Sequence, residues 1–452
     1  MTPLWTAREI ANATGGTASA DFNVDGVTFD SREVIGGELF VAMRGDAADG
    51  HDFVETAQQR GAAGCLVERP VDGPHVRVAD SFRGLQALGV AARARAKGAT
   101  IIGVTGSVGK TGTKEALRRA FQRMAPDNTH WSVKSYNNHT GVPLSLARMP
   151  ADSRYGVYEM GMNHSGEIAA LTRMVRPHVA LVTWVANAHI EYLGSEEAIA
   201  AAKSEIFEGV ERGGTAVWPI DNPHAALLKT RAEELELKSL SFGWGTGADV
   251  RCISALFNPG GTALIADVAG EILHLTIGMA GRHWVSNALG VLATVKAAGG
   301  DIAEAGLALA ELKGLTGRGA RITVPVDGGT ATVIDESYNA NPVSMAAALA
   351  VLGQQSGRRL AILGEMRELG PESHVLHAGM AAAVAEAGIA ELALVGPQMA
   401  ALKVDGAAML PDAEAATRWA QALLRPGDTL LVKGSNGVGL SRVVTALQAD
   451  RA

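Results

Sequence analysis

The pattern of apolar and polar positions divides the chain into three blocks. In residues 1–97, turns rich in Gly and Asp separate four short strand-like runs: GVTFD, ELFVAM, AAGCLVE and HVRVA. A helix is predicted over residues 81–97, where Leu85 and Leu88 fall on one apolar face. Ser81 is the expected N-cap of this helix. The first block is therefore predicted to be a small α/β domain.

The second block, residues 98–315, opens with TIIGVTG, a β-branched apolar run typical of a buried parallel strand. The runs YGVYEM and HVALVTWVA then alternate with helical patterns after Ser165 and Ser195, which indicates βαβ units and a parallel sheet. Between Asp249 and Met279, the runs VRCISALF, GTALIADV and EILHLTI predict antiparallel strands added to that sheet. A helix is predicted from His283 to Ala298.

The third block, residues 316–452, begins with RITVPVDGGTATVIDES, which predicts a hairpin with its turn at residues 327–329. Three strand-like runs follow, each separated from the next by a helical segment: RLAILGEM, ELALVG and DTLLVKGS. This alternation is typical of a Rossmann-like unit. The predicted fold class is therefore α/β, with a small N-terminal domain, a central parallel sheet with added antiparallel strands, and a Rossmann-like C-terminal domain.

Composition and charge exclude several classes of protein. The net charge of −7 does not favour a nucleic-acid partner, and no apolar run reaches the roughly 20 residues that span a bilayer. The two cysteines, Cys65 and Cys252, offer no disulfide framework, and the N-terminus lacks the pattern of a secretory signal. We expect a cytoplasmic monomer with no nucleic-acid partner and no membrane insertion.

A glycine-rich loop, GVTGSVGKT at residues 103–111, joins the first strand of the second block to a helix. Glycines allow backbone N–H groups to face phosphate oxygens, and the helix N-terminus adds partial positive charge. Lys110 would neutralise the β- and γ-phosphates, and the Thr111 hydroxyl would bind Mg²⁺. Val104 stands where the strict Walker spacing has glycine, but the shorter core GxxGKT is intact. Nucleotide binding is predicted here; the alternative is an ordinary strand–turn–helix with a surface lysine.

Candidate metal ligands follow two of the predicted strands. Glu159 ends YGVYEM, and Asn187, His189 and Glu191 follow HVALVTWVA, so these residues are expected at the sheet edge where parallel strands place ligands. Taken alone, each is more often a capping or solvated residue, but together with the phosphate loop they become candidate Mg²⁺ ligands, directly or through water. Composition alone favours an ordinary surface lysine at Lys203.

Longer stretches of sequence resemble the Mur ligases, the ATP-dependent amide ligases that build the peptidoglycan stem peptide. They are TGSVGKTGTKE, SYNNHTGVPLSL at 135–146, EMGMNHSGEI at 159–168 and NAHIEYLGSEEAIAAAKSEIF at 187–207. FDSREVIGGELFVAMRGDAADGHDF at 29–53 resembles the uridine-binding domain of two members of that family. DESYNANPVSM at 335–345 and GEMRELGPESHVLH at 364–377 resemble the member that adds D-alanyl-D-alanine.

The resemblance implies a division of labour among the three blocks. Residues 1–97 would bind the uridine diphosphate of the donor, residues 98–315 would bind ATP, and residues 316–452 would form the acceptor side. The implied reaction joins D-alanyl-D-alanine to a UDP-N-acetylmuramoyl tripeptide through an acyl phosphate. The third donor residue, diaminopimelate or lysine, stays open. The alternatives are a sister ligase that adds a diamino acid to the dipeptide, a folylpolyglutamate-synthase-like ligase, and a nucleotide-dependent switch without an acceptor.

The resemblance also implies roles for individual residues. ATP would be held by Thr105, Gly106, Ser107, Val108, Gly109, Lys110, Thr111, Gly112, His283, Asn287, Arg318, Asp335 and Asn339. The implied catalytic residues are Lys110, Lys203 and Arg318. Mg²⁺ would be bound by Thr111, Glu159, His189 and Lys203, the lysine as a carbamate, which replaces the composition-based interpretation of Lys203. The substrates would be contacted by Ser31, Arg32, Asn137, Asn138, Lys433 and Ser435. For Asp335, Asn339 and Asn341, turn and helix-capping chemistry is the alternative.

This chain departs from the family pattern at three positions. Glu336 and Glu365 stand where the family usually has aspartate, and Asn436 follows Lys-Gly-Ser where an arginine is common. If that arginine pairs with a substrate carboxylate, this chain must use another cation.

Overall fold

A computed structural model of the chain describes residues 2–45, 48–187, 190–258 and 260–449. Its strands form three main sheets, one in each of the three sequence blocks, and a separate two-stranded ladder near the N-terminus. The α/β fold class is thereby confirmed. Among the described residues, no helix combines the length and apolar character that a membrane crossing needs.

The N-terminal sheet has five short strands in the order β2-β7-β6-β5-β4. The strands are β1 (Trp5–Thr6), β2 (Thr17–Ala18), β3 (Asn23–Val24), β4 (Gly26–Thr28), β5 (Glu38–Val41), β6 (Gly64–Val67) and β7 (His75–Arg77). The helices are α1 (Ala7–Thr14), α2 (Val54–Gln59) and α3 (Ser81–Arg95). The predicted N-cap of α3 was wrong by one residue, because the Asp80 carboxylate accepts the Arg83 N–H. The Ser81 hydroxyl is turned inward and donates to the Ala42 carbonyl.

The central sheet has nine strands in the order β16-β15-β14-β13-β12-β11-β8-β10-β9. The strands are β8 (Thr100–Thr105), β9 (Thr129–Trp131), β10 (Tyr155–Glu159), β11 (Val179–Val182), β12 (Thr215–Pro219), β13 (Lys238–Gly243), β14 (Val250–Asn258), β15 (Gly261–Val268) and β16 (Glu271–Ile277). In this order every pair from β9 to β14 is parallel, and β15 and β16 add antiparallel strands, as predicted. For β14 the antiparallel prediction is correct only towards β15, because β14 pairs in parallel with β13.

Helices cover both faces of this sheet and bury its apolar strands, as a parallel sheet requires. They are α4 (Lys110–Met124), α5 (Gly141–Ala147), α6 (Glu167–Val175), α7 (Ile190–Leu193), α8 (Glu196–Ser204), α9 (Ala225–Glu234), α10 (Arg282–Ala297) and α11 (Ile302–Ala310). The strand predicted from HVALVTWVA is shorter than expected and ends at Val182. Asn187 therefore lies five residues beyond it, and Glu191 lies on α7.

The C-terminal sheet has six strands in the order β17-β18-β22-β19-β20-β21. The strands are β17 (Ala320–Val326), β18 (Gly329–Glu336), β19 (Arg359–Gly364), β20 (Glu391–Val395), β21 (Ala408–Leu410) and β22 (Thr429–Lys433). The helices are α12 (Pro342–Gly353), α13 (Ser373–Ala378), α14 (Ala381–Glu386), α15 (Ala413–Leu423) and α16 (Ser441–Ala449). β17 and β18 form the predicted hairpin, and the other pairs are parallel. Asn341 caps α12, as its Asn-Pro sequence indicated.

Six short 3₁₀ turns complete the described elements: Ser31–Glu33, Gly50–Phe53, Glu205–Gly209, Gly370–Glu372, Pro397–Leu402 and Asn436–Val438. The turn Ser31–Glu33 follows β4, and the turn Asn436–Val438 follows β22. Both therefore lie beyond the carboxyl ends of strands, where α/β sheets place ligands.

Candidate nucleotide and ligase site

The loop between β8 and α4 is built so that only glycine fits at two positions. Gly106 has φ +149°, and a Cβ there would lie 2.0 Å from the Thr183 hydroxyl oxygen. Gly109 has φ +84°, and a Cβ there would lie 2.7 Å from the Asn287 side-chain oxygen. The α4 N-terminus carries no side-chain cap, so its first amides are free for phosphate oxygens. Sequence, backbone conformation and helix position therefore agree on an anion-binding loop.

Side chains of this loop differ in what they can offer to a nucleotide. The Lys110 ammonium reaches back over the loop and donates to the Gly106 carbonyl at 2.6 Å. The Thr105 hydroxyl donates to the Met160 carbonyl at 2.8 Å, and the Ser107 hydroxyl donates to the Ala186 carbonyl at 2.9 Å. Thr105 and Ser107 thus hold the loop on neighbouring segments, and Lys110 supplies its positive charge.

A cleft of about 590 Å³ lies between the central and C-terminal sheets, over this loop. Thirteen of the residues that the sequence predicted for the site line it: Ser107, Val108, Gly109, Lys110, Gly112, Asn137, Asn138, Glu159, His283, Asn287, Arg318, Asn339 and Lys433. Eight other predicted residues are not among its lining: Ser31, Arg32, Thr105, Gly106, Thr111, Lys203, Asp335 and Ser435. His189 lies outside the described residues.

Several of the predicted metal ligands have buried polar atoms that find no hydrogen-bond partner among the described residues. They are the Thr111 hydroxyl oxygen, one Glu159 carboxylate oxygen and the Lys203 amine, and Asn187 contributes an unpartnered amide oxygen. The other Glu159 oxygen accepts the Asn137 amide at 2.8 Å. A buried polar group that lacks a partner is costly. The described part of the chain holds no group of three His, Cys, Asp or Glu arranged for a metal ion.

Burial shifts the pKa values of the cationic and imidazole groups in this region. It lowers the pKa of Lys110 to about 8, against the opposing attraction of Glu159. Burial also lowers the pKa of Lys203 well below its ordinary value, and the nearby Lys110 ammonium acts in the same direction. His283 has its pKa lowered to about 4, first by burial and then by the charge of Lys433. Both effects favour the neutral, nucleophilic form of the Lys203 amine.

Arg318 reaches the cleft from the loop that leads into β17, and hydrogen bonds to Asp335 stabilise this loop. The buried Asp335 carboxylate accepts the Gly317 N–H at 2.7 Å and the Ser337 hydroxyl at 2.6 Å. The Arg318 guanidinium carbon lies 4.2 Å from the centre of the Tyr338 ring, a cation–π contact. Asp335 thus positions the Arg318 loop from outside the cleft lining, which favours the turn-chemistry alternative over direct contact with a nucleotide.

Lys433, at the end of β22, is almost wholly buried and joins the last strand to the Asp335 segment. Its ammonium donates to the Asn339 carbonyl at 2.9 Å and lies 3.5 Å from a Glu336 carboxylate oxygen. Burial lowers the pKa of Lys433, and Glu336 opposes that shift. The longer side chain of Glu336 therefore has a partner in this chain.

The other two departures from the family pattern are also explained in part. The Glu365 carboxylate accepts the Gln398 N–H at 2.8 Å, and Gly396 leaves room for it, since a Cβ there would lie 2.5 Å from the Glu365 carboxyl carbon. Asn436 lines the cleft. The Arg367 guanidinium lies beside Asn436, because it packs on the neighbouring Gly437. A Cβ at Gly437 would lie 2.0 Å from a guanidinium nitrogen.

The predicted substrate residues divide into two groups. Asn137 donates its side-chain amide to Glu159, and the Asn138 side-chain oxygen accepts the N–H of Gly141, the first residue of α5, at 2.9 Å. In the N-terminal domain Ser31 is buried, while Arg32 is 86% exposed at its side chain and forms a salt bridge with Asp30. The turn that carries Ser31 and Arg32 is separate from the cleft lining.

Sequence reasoning missed three residues that shape the site. Tyr338 lies under Arg318, and the Trp284 ring packs on Gly112 at the start of α4. Lys114 is fully buried and donates to the Ser132 carbonyl at 2.9 Å. Tyr338 lies inside the quoted SYNANP motif and Trp284 beside His283, so their positions gave a signal. Nothing in the local pattern distinguishes Lys114 from a surface lysine.

The molecule has the parts of a three-domain nucleotide-dependent ligase. They are a phosphate loop on a parallel sheet, a second α/β unit with an arginine at the same cleft, and an N-terminal α/β domain. Family models match in the same order: the catalytic domain of the Mur ligase family at residues 23–112, the Mur ligase middle domain at 104–295, and the Mur ligase glutamate ligase domain at 319–436. The chain belongs to the Mur ligase family, as the motifs predicted.

Relatives of known name cover nearly the whole chain. The UDP-N-acetylmuramoyl-tripeptide–D-alanyl-D-alanine ligase of Rickettsia prowazekii is 31% identical over 98% of this chain and 100% of its own. The enzyme of the same name from Escherichia coli is 32% identical over 96% of both chains. A crystal structure of MurF from Acinetobacter baumannii, 29% identical, superposes with a TM-score of 0.87 over 98% of both chains. MurF from Thermotoga maritima in complex with ADP, 25% identical, covers 94% of this chain and 98% of its own with a TM-score of 0.77.

Proposed function

We propose that this protein is an ATP-dependent, ADP-forming ligase that joins D-alanyl-D-alanine to a UDP-N-acetylmuramoyl tripeptide during peptidoglycan precursor synthesis. The observation that carries the proposal is the cleft that unites the phosphate loop, Lys110 and Glu159 with Arg318 and Lys433 of the C-terminal domain. The near full-length similarity to ligases of that activity supports the substrate assignment.

The chain's own residues act mainly by position and charge. The terminal carboxylate of the tripeptide attacks the γ-phosphorus of ATP, which forms an acyl phosphate and releases ADP. The amine of D-alanyl-D-alanine then attacks the acyl carbon, loses a proton and expels phosphate. Lys110 and Arg318 neutralise the phosphate charge that moves during the first step, and His283 and Asn287, one helical turn apart on α10, flank the nucleotide. No side-chain nucleophile takes part.

Thr111 and Glu159 fit the requirements of a magnesium site beside these phosphates. Each has a buried oxygen without a hydrogen-bond partner in the described part of the chain, and oxygen is the ligand that Mg²⁺ prefers. The bound ion would neutralise negative charge on the β- and γ-phosphates. His189 stays a predicted ligand of a second ion.

Lys203 is proposed to react with CO₂ and form a carbamate. Its side chain is fully buried, its amine has no hydrogen-bond partner among the described residues, and its surroundings lower its pKa. A carbamate would add two oxygens to this amine and give it a negative charge. A buried anion of this kind would stabilise a neighbouring Mg²⁺.

The predicted domain roles complete the proposal. Residues 1–97 bind the uridine diphosphate end of the donor through Ser31 and Arg32, residues 98–315 bind ATP, and residues 316–452 form the acceptor side with Lys433 and Ser435. The protein works as a monomer in the cytoplasm, where both substrates and ATP are available. The donor's third residue is left as diaminopimelate or lysine.

An acceptor panel tests the proposed function. Purified protein is incubated with Mg²⁺, ATP and the UDP-muramyl tripeptide, and ADP release is followed with D-alanyl-D-alanine, meso-diaminopimelate, L-lysine or L-glutamate. Sustained ADP release should require D-alanyl-D-alanine, because without an acceptor the reaction stops at the acyl phosphate after at most about one ADP per enzyme. Sustained activity with a free diamino acid when a UDP-muramyl dipeptide replaces the tripeptide would identify the sister ligase instead, and sustained ADP release without any acceptor would indicate a nucleotide switch.

A further inference from the structure

The segment of residues 132–139, here called the strap, runs from β9 towards α5 and contacts three parts of the molecule. It touches the helix that follows the phosphate loop, the N-terminal domain, and the carboxylate of Glu159. The proposed reaction steps do not use these three contacts directly.

Lys114 of α4 holds the strap from the nucleotide side. Its fully buried ammonium donates to the carbonyl oxygens of Ser132 at 2.9 Å and Lys134 at 3.4 Å, and pairs with Glu115 at 2.5 Å. Lys134 has φ +52°, a left-handed conformation that is uncommon for a residue with a Cβ. The strap therefore combines an uncommon backbone conformation at Lys134 with carbonyl groups that are anchored to α4.

Glu33 holds the same segment from the N-terminal domain. One oxygen of its carboxylate accepts the Lys134 ammonium and the Tyr136 hydroxyl, the latter at 3.1 Å. The other lies 3.7 Å from the Arg148 guanidinium, which also donates to the Val27 carbonyl at 2.5 Å. Glu33 closes the turn Ser31–Glu33, so it adjoins the residues proposed to anchor the donor.

Asn137 completes the connection to the phosphate site. Its side-chain amide donates to Glu159 at 2.8 Å, and its carbonyl accepts the Gly161 N–H at 2.7 Å. Gly161 permits this approach, because a Cβ there would lie 3.0 Å from the Asn137 side chain. A shift of the strap would therefore move the group that orients Glu159.

We propose that Glu33 is a positioning residue that couples donor binding at the turn Ser31–Glu33 to nucleotide binding beside Glu159, through the strap. The inference rests on the proposed function, because it takes the turn to be the donor site. Coupling between two sites is reciprocal, so the donor should tighten nucleotide binding by the same factor as the nucleotide tightens donor binding.

The test measures ADP binding by calorimetry in the presence of Mg²⁺, with and without saturating UDP-muramyl tripeptide. In the wild-type protein the donor should lower the dissociation constant of ADP. In Glu33→Gln that donor effect should shrink at least about threefold, while the dissociation constant for ADP alone and the thermal midpoint stay unchanged. Glu55→Gln is the matched control, because Glu55 is an exposed glutamate of the same domain whose carboxylate accepts the Gln59 amide on the same helix.

Lys134→Met removes the same ion pair from the other side. The Lys134 side chain is 63% exposed, so the fold should tolerate this substitution. Its effect on the coupling should match that of Glu33→Gln, and the double variant should show no further loss. A donor effect of wild-type size in Glu33→Gln or Lys134→Met would overturn the proposal, as would donor binding without coupling in the wild type. Absence of donor binding to the wild type would overturn the proposed function as well.

Discussion

At the scale of single residues, the site depends on cations whose surroundings change their chemistry. Lys110 has a pKa of about 8 in the cleft because burial disfavours its charged form. Nucleotide phosphates favour the ammonium, so the pKa of Lys110 must be higher in the complex than in the free protein.

This difference sets the pH dependence of ATP binding. Below pH 8 Lys110 is charged in both states, and affinity should not change with pH through this group. Above pH 8 the free protein loses the proton that the complex keeps, so the ATP dissociation constant should rise by up to about tenfold per pH unit. Titrations from pH 6.5 to 9.5 measure this. Lys110→Arg should give a flat profile, and an equally steep rise in that variant would assign the effect to another group.

Lys203 should carry a carbamate. Incubation with ¹³C-bicarbonate should give a carbamate carbon signal by NMR in the wild type and in Lys229→Ala, an exposed-lysine control. The signal should be absent in Lys203→Arg, and activity should fall at least about a hundredfold because arginine keeps the wrong sign of charge beside the metal site. Short-chain carboxylates should partly restore Lys203→Ala. A fully active Lys203→Arg would leave Lys203 without a role.

Arg367 is the expected replacement for the arginine that this chain lacks at position 436. It packs against Gly437, beside the cleft-lining Asn436. If it pairs with the acceptor carboxylate, Arg367→Gln should raise the KM for D-alanyl-D-alanine at least about fivefold and leave the KM for ATP unchanged. Arg442→Gln, an exposed arginine on α16, is the control. Equal KM values in Arg367→Gln and wild type would exclude this role.

At the scale of secondary-structure elements, the site is assembled from loops that buried carboxylates hold in place. The loop that presents Arg318 is the clearest example. The Asp335 carboxylate accepts hydrogen bonds from the Gly317 N–H and from both the backbone N–H and the hydroxyl of Ser337. In all three contacts a carboxylate oxygen accepts and its partner donates, so each donor is paired with an acceptor.

Asp335→Asn should break that match, because an amide group must turn one N–H towards a donor. We expect a loss of about 1–3 kcal/mol in unfolding free energy, measured by urea titration, and a fall in kcat as Arg318 loses its support. Asp412→Asn should be nearly neutral, since Asp412 is an exposed N-cap where asparagine serves equally well. Full stability and turnover in Asp335→Asn would show that the loop does not depend on this carboxylate.

Element types could be predicted from the sequence where periodicity was strong, as for the β17–β18 hairpin and the added strands β14 to β16. Element ends could be predicted in some cases, since α10 (Arg282–Ala297) lies within one residue of its predicted bounds, but not in others. The apolar run after β11 continues to Ala186 because the chain packs over the phosphate loop, with the Ser107 hydroxyl bonded to the Ala186 carbonyl. Ser81 resembles an N-cap locally, but a tertiary contact with Ala42 takes its hydroxyl.

Residues of the site could be predicted only where they belong to a recognisable sequence motif. Lys110, Glu159 and Arg318 lie together as the motifs implied. The burial of Lys114 and the contacts of Glu33 arise from elements far apart in sequence, so local patterns cannot reveal them. Lys203 is an intermediate case: composition indicated a surface residue, the family resemblance indicated function, and the structure places it in the core.

At the scale of the whole molecule, the account requires that one phosphoryl group passes from ATP to the donor and leaves when the acceptor arrives. The most direct measurement uses UDP-muramyl tripeptide labelled with ¹⁸O in its reacting carboxylate. Because the acyl phosphate is opened at carbon, one labelled oxygen should appear in the released phosphate for each amide formed, as read by mass spectrometry. Lys110→Ala should lower amide and labelled phosphate together, at least about a hundredfold. Amide formation with unlabelled phosphate, or phosphate release without D-alanyl-D-alanine, would contradict the account.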